Sequence, residues 1–218
     1  TIGVLGALQV TLADGETAKF RSDQTRALLA FLAVEADRPH RREALTGLLW
    51  PDDPEEAARH NLRQALLNLR QAIGDPAAHP PYLRITRHEI QFNLASDFAL
   101  DVASFDALLA ACAGHPHARR DSCAVCAPRL QQAVDLYRGQ FLQEFFLKDS
   151  AAFEEWALTR REAFHHRALE ALDDLATYYE QHGDLGAARR CALRQLELDP
   201  WREQAHRQLM RVFALEGQ

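Results

Sequence analysis

The 218-residue chain is 47% apolar and carries 25 basic against 31 acidic side chains, a formal charge of −6. That composition supports one large or two ordinary hydrophobic cores. It excludes a protein that coats nucleic acid with its whole surface, which would be net basic. No apolar run reaches the ~18 uncharged residues of a membrane span, and the opening TIGVLGALQV lacks the basic leader and cleavage site of a secretory signal, so the expected location is the cytoplasm, with no membrane partner.

Residues 1–20 alternate apolar and polar positions, with Val4, Leu5, Leu8, Val10 and Leu12 leading to the turn Asp14-Gly15 and on to Ala18 and Phe20. This pattern predicts a small antiparallel sheet. Ser22 then caps a helix whose apolar positions Ala27, Leu28, Phe31 and Leu32 recur at helical spacing until about Ala36, ahead of Pro39. A second helix is expected over 41–49, burying Ala44, Leu45, Leu48 and Leu49. The prolines of Trp50-Pro51-Asp52-Asp53-Pro54 force a turn, because they lack a backbone donor and restrict the residues before them. A third helix is expected over 55–73, stopped by Gly74-Asp75-Pro76. Past the loop AHPP, the runs 82–86 and 90–94 flank an Arg87-His88 tip and form a β-hairpin.

Beyond Asp101 strand signals vanish, and helical periodicity covers 101–113, 126–138, 150–182, 184–198 and 201–215. The expected boundary lies near 96–100, giving domains 1–98 and 99–218. The fold class is therefore mainly α: an N-terminal winged helix-turn-helix with a small β-sheet and a wing hairpin, then an all-α, tetratricopeptide-like helical domain. Leu172, Leu175, Ala176, Tyr178 and Tyr179, then Gly183, Ala187, Ala188 and LELDP ending in Pro200, follow the antiparallel helix pair of a tetratricopeptide unit. Stacked pairs of this kind mainly present surfaces to other proteins or domains.

The third helix carries the functional signal. Ala58, Leu62, Leu66, Leu69 and Ile73 line one face at about 100° per residue and form its core side. The opposite face bears His60, Gln64, Asn68 and Gln71, flanked by Arg59, Arg63 and Arg70, with Asn61 on the other flank. Amides pair bidentately with adenine, arginine with guanine, and edge arginines with phosphate, so this is the inventory of a major-groove helix. Arginine and glutamine are also ordinary helix formers. Context favours DNA: a second helix, a tight turn, this helix, then a hairpin whose Arg84 and Arg87 can follow the backbone or minor groove. Neither half of the chain is basic (11 basic against 13 acidic residues before Phe98, 14 against 18 after it), so any contact must come from this local stripe.

The stretches VLGALQVTLADG, RALLAFLAV, LTGLLWPDD and ARHNLRQALLNLRQAIG resemble the DNA-binding domain of the Streptomyces antibiotic regulatory protein (SARP) family. LQQAVDLYRGQFLQEF, FEEWALTRRE and LELDPWREQAHRQLMRVFALEG resemble that family's bacterial transcriptional activator domain. The resemblance implies a sequence-specific transcription activator that binds double-stranded promoter DNA, with 55–73 as recognition helix and 82–94 as wing. RNA polymerase is the expected protein partner, and the helical half is implied to support dimer or domain contacts. Glu89-Ile90 stands where family members commonly have Gly-Tyr, which makes the wing tip the least conforming part. The ending FALEGQ stops inside the repeat rhythm without a polar cap, and a longer natural protein with further domains is expected.

Three of the four cysteines fall within fifteen residues. In a cytosolic chain such clustering points to metal or redox chemistry before disulfides. Cys112-Ala-Gly-His115-Pro-His117 is followed by Cys123-Ala-Val-Cys126, two ligand pairs of knuckle-like spacing around a polar loop. The expected cofactor is a structural zinc ion on Cys123 and Cys126, with Cys112 third and His115 or His117 fourth. Free thiols on an open loop, or a redox Cys-x-x-Cys pair, remain the alternatives. His165 and His166 are expected to be solvated or hydrogen-bonded rather than ligands.

Catalysis is not expected: no nucleophile-base-orienter set assembles from spacing, and there is no Gly-x-x-x-x-Gly-Lys loop and no His-Glu-x-x-His pair. A tetratricopeptide-type interaction adaptor and a metal-responsive regulator are the rival functions.

Overall fold

The computed structural model describes residues 1–217; Gln218 lies outside the described residues. The chain divides into two compact units, one of residues 1–103 with 141–160 and one of 104–140 with 161–218. Its helices are α1 (Asp23–Val34), α2 (Arg42–Leu49), α3 (Glu55–Ala72), α4 (Asp101–Ala113), α5 (Ala127–Leu136), α6 (Ala151–Gln181), α7 (Leu185–Leu198) and α8 (Glu203–Glu216). The strands are β1 (Ile2–Gly3), β2 (Gln9–Val10), β3 (His40–Arg41), β4 (Leu83–Ile85) and β5 (Glu89–Phe92).

In the first unit, β1 and β2 pair antiparallel with Ile2 opposite Val10. The first strand continues into an irregular edge where the Leu142 amide donates to Val4 O and the Gln143 amide to Gly6 O, at 2.9 and 3.0 Å. Segment 141–160 thereby returns to the first unit, a connection that helical periodicity gave no reason to expect. The buried Asp101 carboxylate completes this edge by accepting from the Val4 and Leu5 amides at 2.8 to 2.9 Å.

Ser22 caps α1 as expected, its hydroxyl accepting from the Thr25 amide. The helix ends at Val34, two residues before the expected stop, and Glu35 takes the C-cap. Ala27, Leu28, Leu29, Ala30 and Leu32 are all fully buried, so α1 is the central rod of this unit. In α2 the buried side is Leu45, Thr46 and Leu49, whereas Ala44 is exposed and Leu48 half-buried. Thr46 can occupy a buried place because its hydroxyl donates to Glu43 O at 2.9 Å, which satisfies it without water. The predicted hairpin is present as β4–β5, with Leu83 opposite Phe92. It is joined on the far side of β5 by β3, whose His40 pairs with Ile90. Two residues are too short for alternation to reveal, so β3 was not legible.

The second unit is helical among the described residues. Phe105 packs edge-on to Phe164 at 6.1 Å, and Cys191, Ala192, Ala187 and Ala188 are buried on α7. Gly183 adopts φ 77° at the α6–α7 corner, a left-handed conformation that suits glycine, and Asp184 caps α7 by accepting from the Ala187 amide at 2.9 Å. Gln195 and Gln208 are buried; the Gln195 amide donates to Gln208 Oε1 at 2.9 Å, and Gln208 donates in turn to Asp173 at 2.7 Å. This chain of bonds ties α6, α7 and α8 together. His165 shares a 3.4 Å hydrogen bond with the Tyr137 hydroxyl, and the exposed His166 lies 3.3 Å from the Glu170 carboxylate. No described helix is long and apolar enough to cross a membrane.

Candidate functional site

α2, the Trp50–Pro54 turn and α3 make a helix-turn-helix, and β4–β5 follows as the wing. Ala58, Leu62, Ala65, Leu66 and Leu69 bury the inner face of α3, so the opposite face is left to solvent. His60, Arg63, Gln64 and Gln71 are exposed and Asn68 is half-buried on that face. Leu67, 49% exposed, sits among them at the i+3 and i+4 spacings from Gln64 and Arg63. Sequence reasoning passed over it because an apolar residue there looks like core, yet an exposed apolar side chain amid amides is suited to a thymine methyl.

The arginines divide into two groups. Arg63, Arg84 and Arg87 are exposed, and Arg59 stays half-exposed while pairing with Glu55 at 2.6 Å and reaching Glu43 at 4.0 Å. Arg70 is otherwise engaged: its Nε donates at 2.7 Å to Asp75, whose carboxylate is 1% exposed. The other oxygen of Asp75 accepts from the Leu83 amide at 2.9 Å. Asp75 thus connects the end of α3 to the first wing strand, a role that its place in a Gly-Asp-Pro stop signal conceals. Asn61 is likewise committed, donating to Asp53 at 2.8 Å and fastening the first turns of α3 to the preceding loop.

Arg42 is a second residue that the sequence did not single out. Its Nε and Nη2 donate to Thr86 O at 3.2 and 3.1 Å, and its amide donates to His88 O at 2.9 Å, so it clamps the wing tip to the start of α2. Arg42, Arg59, Arg63, Arg87 and His88 line a cleft of about 480 Å³ whose only acidic lining residue is Glu43. The adjacent Arg41-Arg42 pair was the available signal. Four guanidinium groups about one concavity in a chain of charge −6 form the kind of local basic stripe that a phosphate backbone needs.

In the second unit, the ligand atoms of His115, His117, Cys123 and Cys126 lie within 4.8 Å of one another. The structure therefore brings together both histidines with the Cys-x-x-Cys pair. Cys112, expected as third ligand, lies outside this group. It is fully buried on α4, where it continues the buried stripe of Phe105 and Leu109, and its thiol donates to the Cys126 carbonyl at 3.8 Å. Burial, with the Cys123 and Cys112 thiols beside it, pushes the Cys126 thiol up to about 12.

Residues 100–218 match the bacterial transcriptional activator domain family. The transcriptional regulatory protein EmbR of Mycobacterium bovis and of Mycobacterium tuberculosis is 36% identical over 92 residues, a match that takes in 38% of this chain and 24% of the relative. The matched segment spans about a quarter of the length of these curated relatives. Among solved structures, Mycobacterium tuberculosis EmbR in complex with a low affinity phosphopeptide superposes with a TM-score of 0.73 at 26% identity, over 99% of this chain and 55% of that one. With more than half of its length inside the family's match, and with the helix order that its SARP-like motifs implied, the chain belongs to the bacterial transcriptional activator domain family.

Proposed function

We propose that the chain is a sequence-specific, DNA-binding transcription activator that reads the major groove of promoter DNA with α3. The observation that carries this reading is the solvent face of α3. Three amides, a histidine, Arg63 and Leu67 stand there in helical register beside a cleft lined by arginines. His60, Arg63, Gln64, Asn68 and Gln71 face the bases; Arg59, Arg84 and Arg87 contact phosphates. Arg70 and Asn61 serve the site indirectly, by holding the wing and the turn. Recruitment of RNA polymerase and contacts between two copies belong to the helical unit, and the ligand DNA places the protein in the cytoplasm.

The test is a base-preference profile measured by competition over every single substitution in a selected site. Gln64→Ala and Asn68→Ala should each relax preference at discrete positions by about 1–3 kcal/mol, the value of a bidentate contact. Arg59→Ala should instead weaken all duplexes alike and flatten the salt dependence. Unchanged profiles in folded Gln64→Ala and Asn68→Ala proteins would remove α3 from the reading role.

A further inference from the structure

We propose that His115, His117, Cys123 and Cys126 hold one structural zinc ion, which fixes the loop between α4 and α5. Four nitrogen and sulfur ligands are the donor set that zinc prefers. Zn–N and Zn–S bonds of about 2.0 to 2.3 Å place tetrahedral ligands about 3.3 to 3.8 Å apart. The four atoms here already lie within 4.8 Å, and His117 Nδ1 is 3.8 Å from Cys126 Sγ. Side-chain rotations of less than a bond length per ligand close the remaining gap.

The local backbone is built to present them. After the last turn of α4 the His115 amide donates to Cys112 O at 3.2 Å, and the His115 and His117 rings stack at an interplanar angle of 30° with centroids 5.6 Å apart. A 3-10 turn, Arg120–Ser122, leads into the Cys123–Cys126 turn, where the Cys126 and Ala127 amides donate to Cys123 O at 3.1 and 3.0 Å. Cys126 is buried and the other three ligands are half-buried, whereas Val125 points outward at 47% exposure. The loop therefore encloses its polar sulfur and imidazole groups and leaves its apolar side chain in water, the reverse of a loop held by hydrophobic packing. Two thiols that release their protons to solvent and two neutral imidazoles give a site of zero net charge around Zn²⁺. With all four positions filled by the chain, no place is left for a reacting water, and the metal's role is to hold the fold.

The experiment uses the full chain, reduced and freed of metal, titrated with Zn²⁺ alone and with Co²⁺ as a spectroscopic probe. The expected result is one ion per chain, the visible spectrum of tetrahedral cobalt with two thiolates, and slowed amide exchange across 114–126. Cys123→Ser and Cys126→Ser should lose the ion, and Cys112→Ala should keep it. His117→Cys should keep it too, with a third thiolate in the cobalt spectrum, which a histidine of merely structural importance would not produce. Failure of the unmodified chain to take up either ion would overturn the proposal. So would loss of the ion in Cys112→Ala with retention in both His115→Ala and His117→Ala.

Discussion

Glu35, Asp75 and Arg42 each hold together elements that sequence proximity does not join. Glu35 is buried at the C-cap of α1 and accepts from Trp156 Nε1 at 2.8 Å and Arg160 Nε at 2.9 Å. Burial alone would raise its pKa, but these donors and the nearby Arg160 and Arg38 charges outweigh it and bring the carboxyl below its ordinary value of 4.5. A carboxyl with a depressed folded pKa contributes stability above its unfolded pKa and loses it as pH falls through the folded value. The stability difference between the native chain and Glu35→Gln should therefore be constant near neutrality and shrink below about pH 4.5; a difference that holds steady through that range in urea titrations would refute the linkage. Asp75→Ala should free the wing from α3. The expected outcome is weaker binding to every duplex with base preference unchanged, since Asp75 faces the interior; a changed preference at particular base pairs would mean that it acts on the reading face itself.

At the scale of elements, legibility followed periodicity. The helices with a one-sided apolar stripe, α3 above all, were readable to within a residue or two. Ser22 and the Trp50–Pro54 turn fixed boundaries through local chemistry that does not depend on the rest of the fold. What escaped were contacts made by short or irregular backbone: β3, two residues long, and the return of 141–160 to the first unit, where Leu142, Glu144 and Asp149 adopt positive φ. Non-glycine residues rarely take that conformation on local preference, so only tertiary packing sustains it here. The proposed metal-ligand group was half legible. Spacing identified the loop and the Cys-x-x-Cys pair, but it could not show that the last turn of α4 directs Cys112 inward while both histidines reach the cluster. The Gln195–Gln208–Asp173 chain of bonds was invisible to patterning, because a buried amide is identified only by its partners. Gln208→Ala should destabilise the helical unit by about 1–3 kcal/mol by leaving the buried Gln195 amide nitrogen without its acceptor, and Gln195→Leu with Gln208→Leu together should cost less than the two changes added. Strict additivity in urea unfolding would show that the pair is not coupled.

Over the whole molecule, a charge of −6 and a local arginine stripe are compatible because DNA contact needs positive potential only where the duplex lies. The family to which the chain belongs and the architecture it shares with EmbR support a DNA-reading unit joined in sequence to a helical one, and the resemblance to SARP regulators implies two copies on repeated half-sites. Readers on one face of the duplex require half-sites about one helical turn, or 10–10.5 base pairs, apart. Inserting half a turn between the repeats should abolish joint occupancy in footprints, while a full turn should preserve it. Equal protection of both spacings would show that the copies bind independently. The central claim, that the first unit recognises DNA sequence, is tested most directly by the affinity of the full chain for a duplex selected from random sequence against the same bases shuffled, at physiological salt. A preference on the order of 10³-fold or more is predicted, as for other sequence-specific DNA-binding proteins; equal affinity for the two duplexes, or none for either, would contradict it.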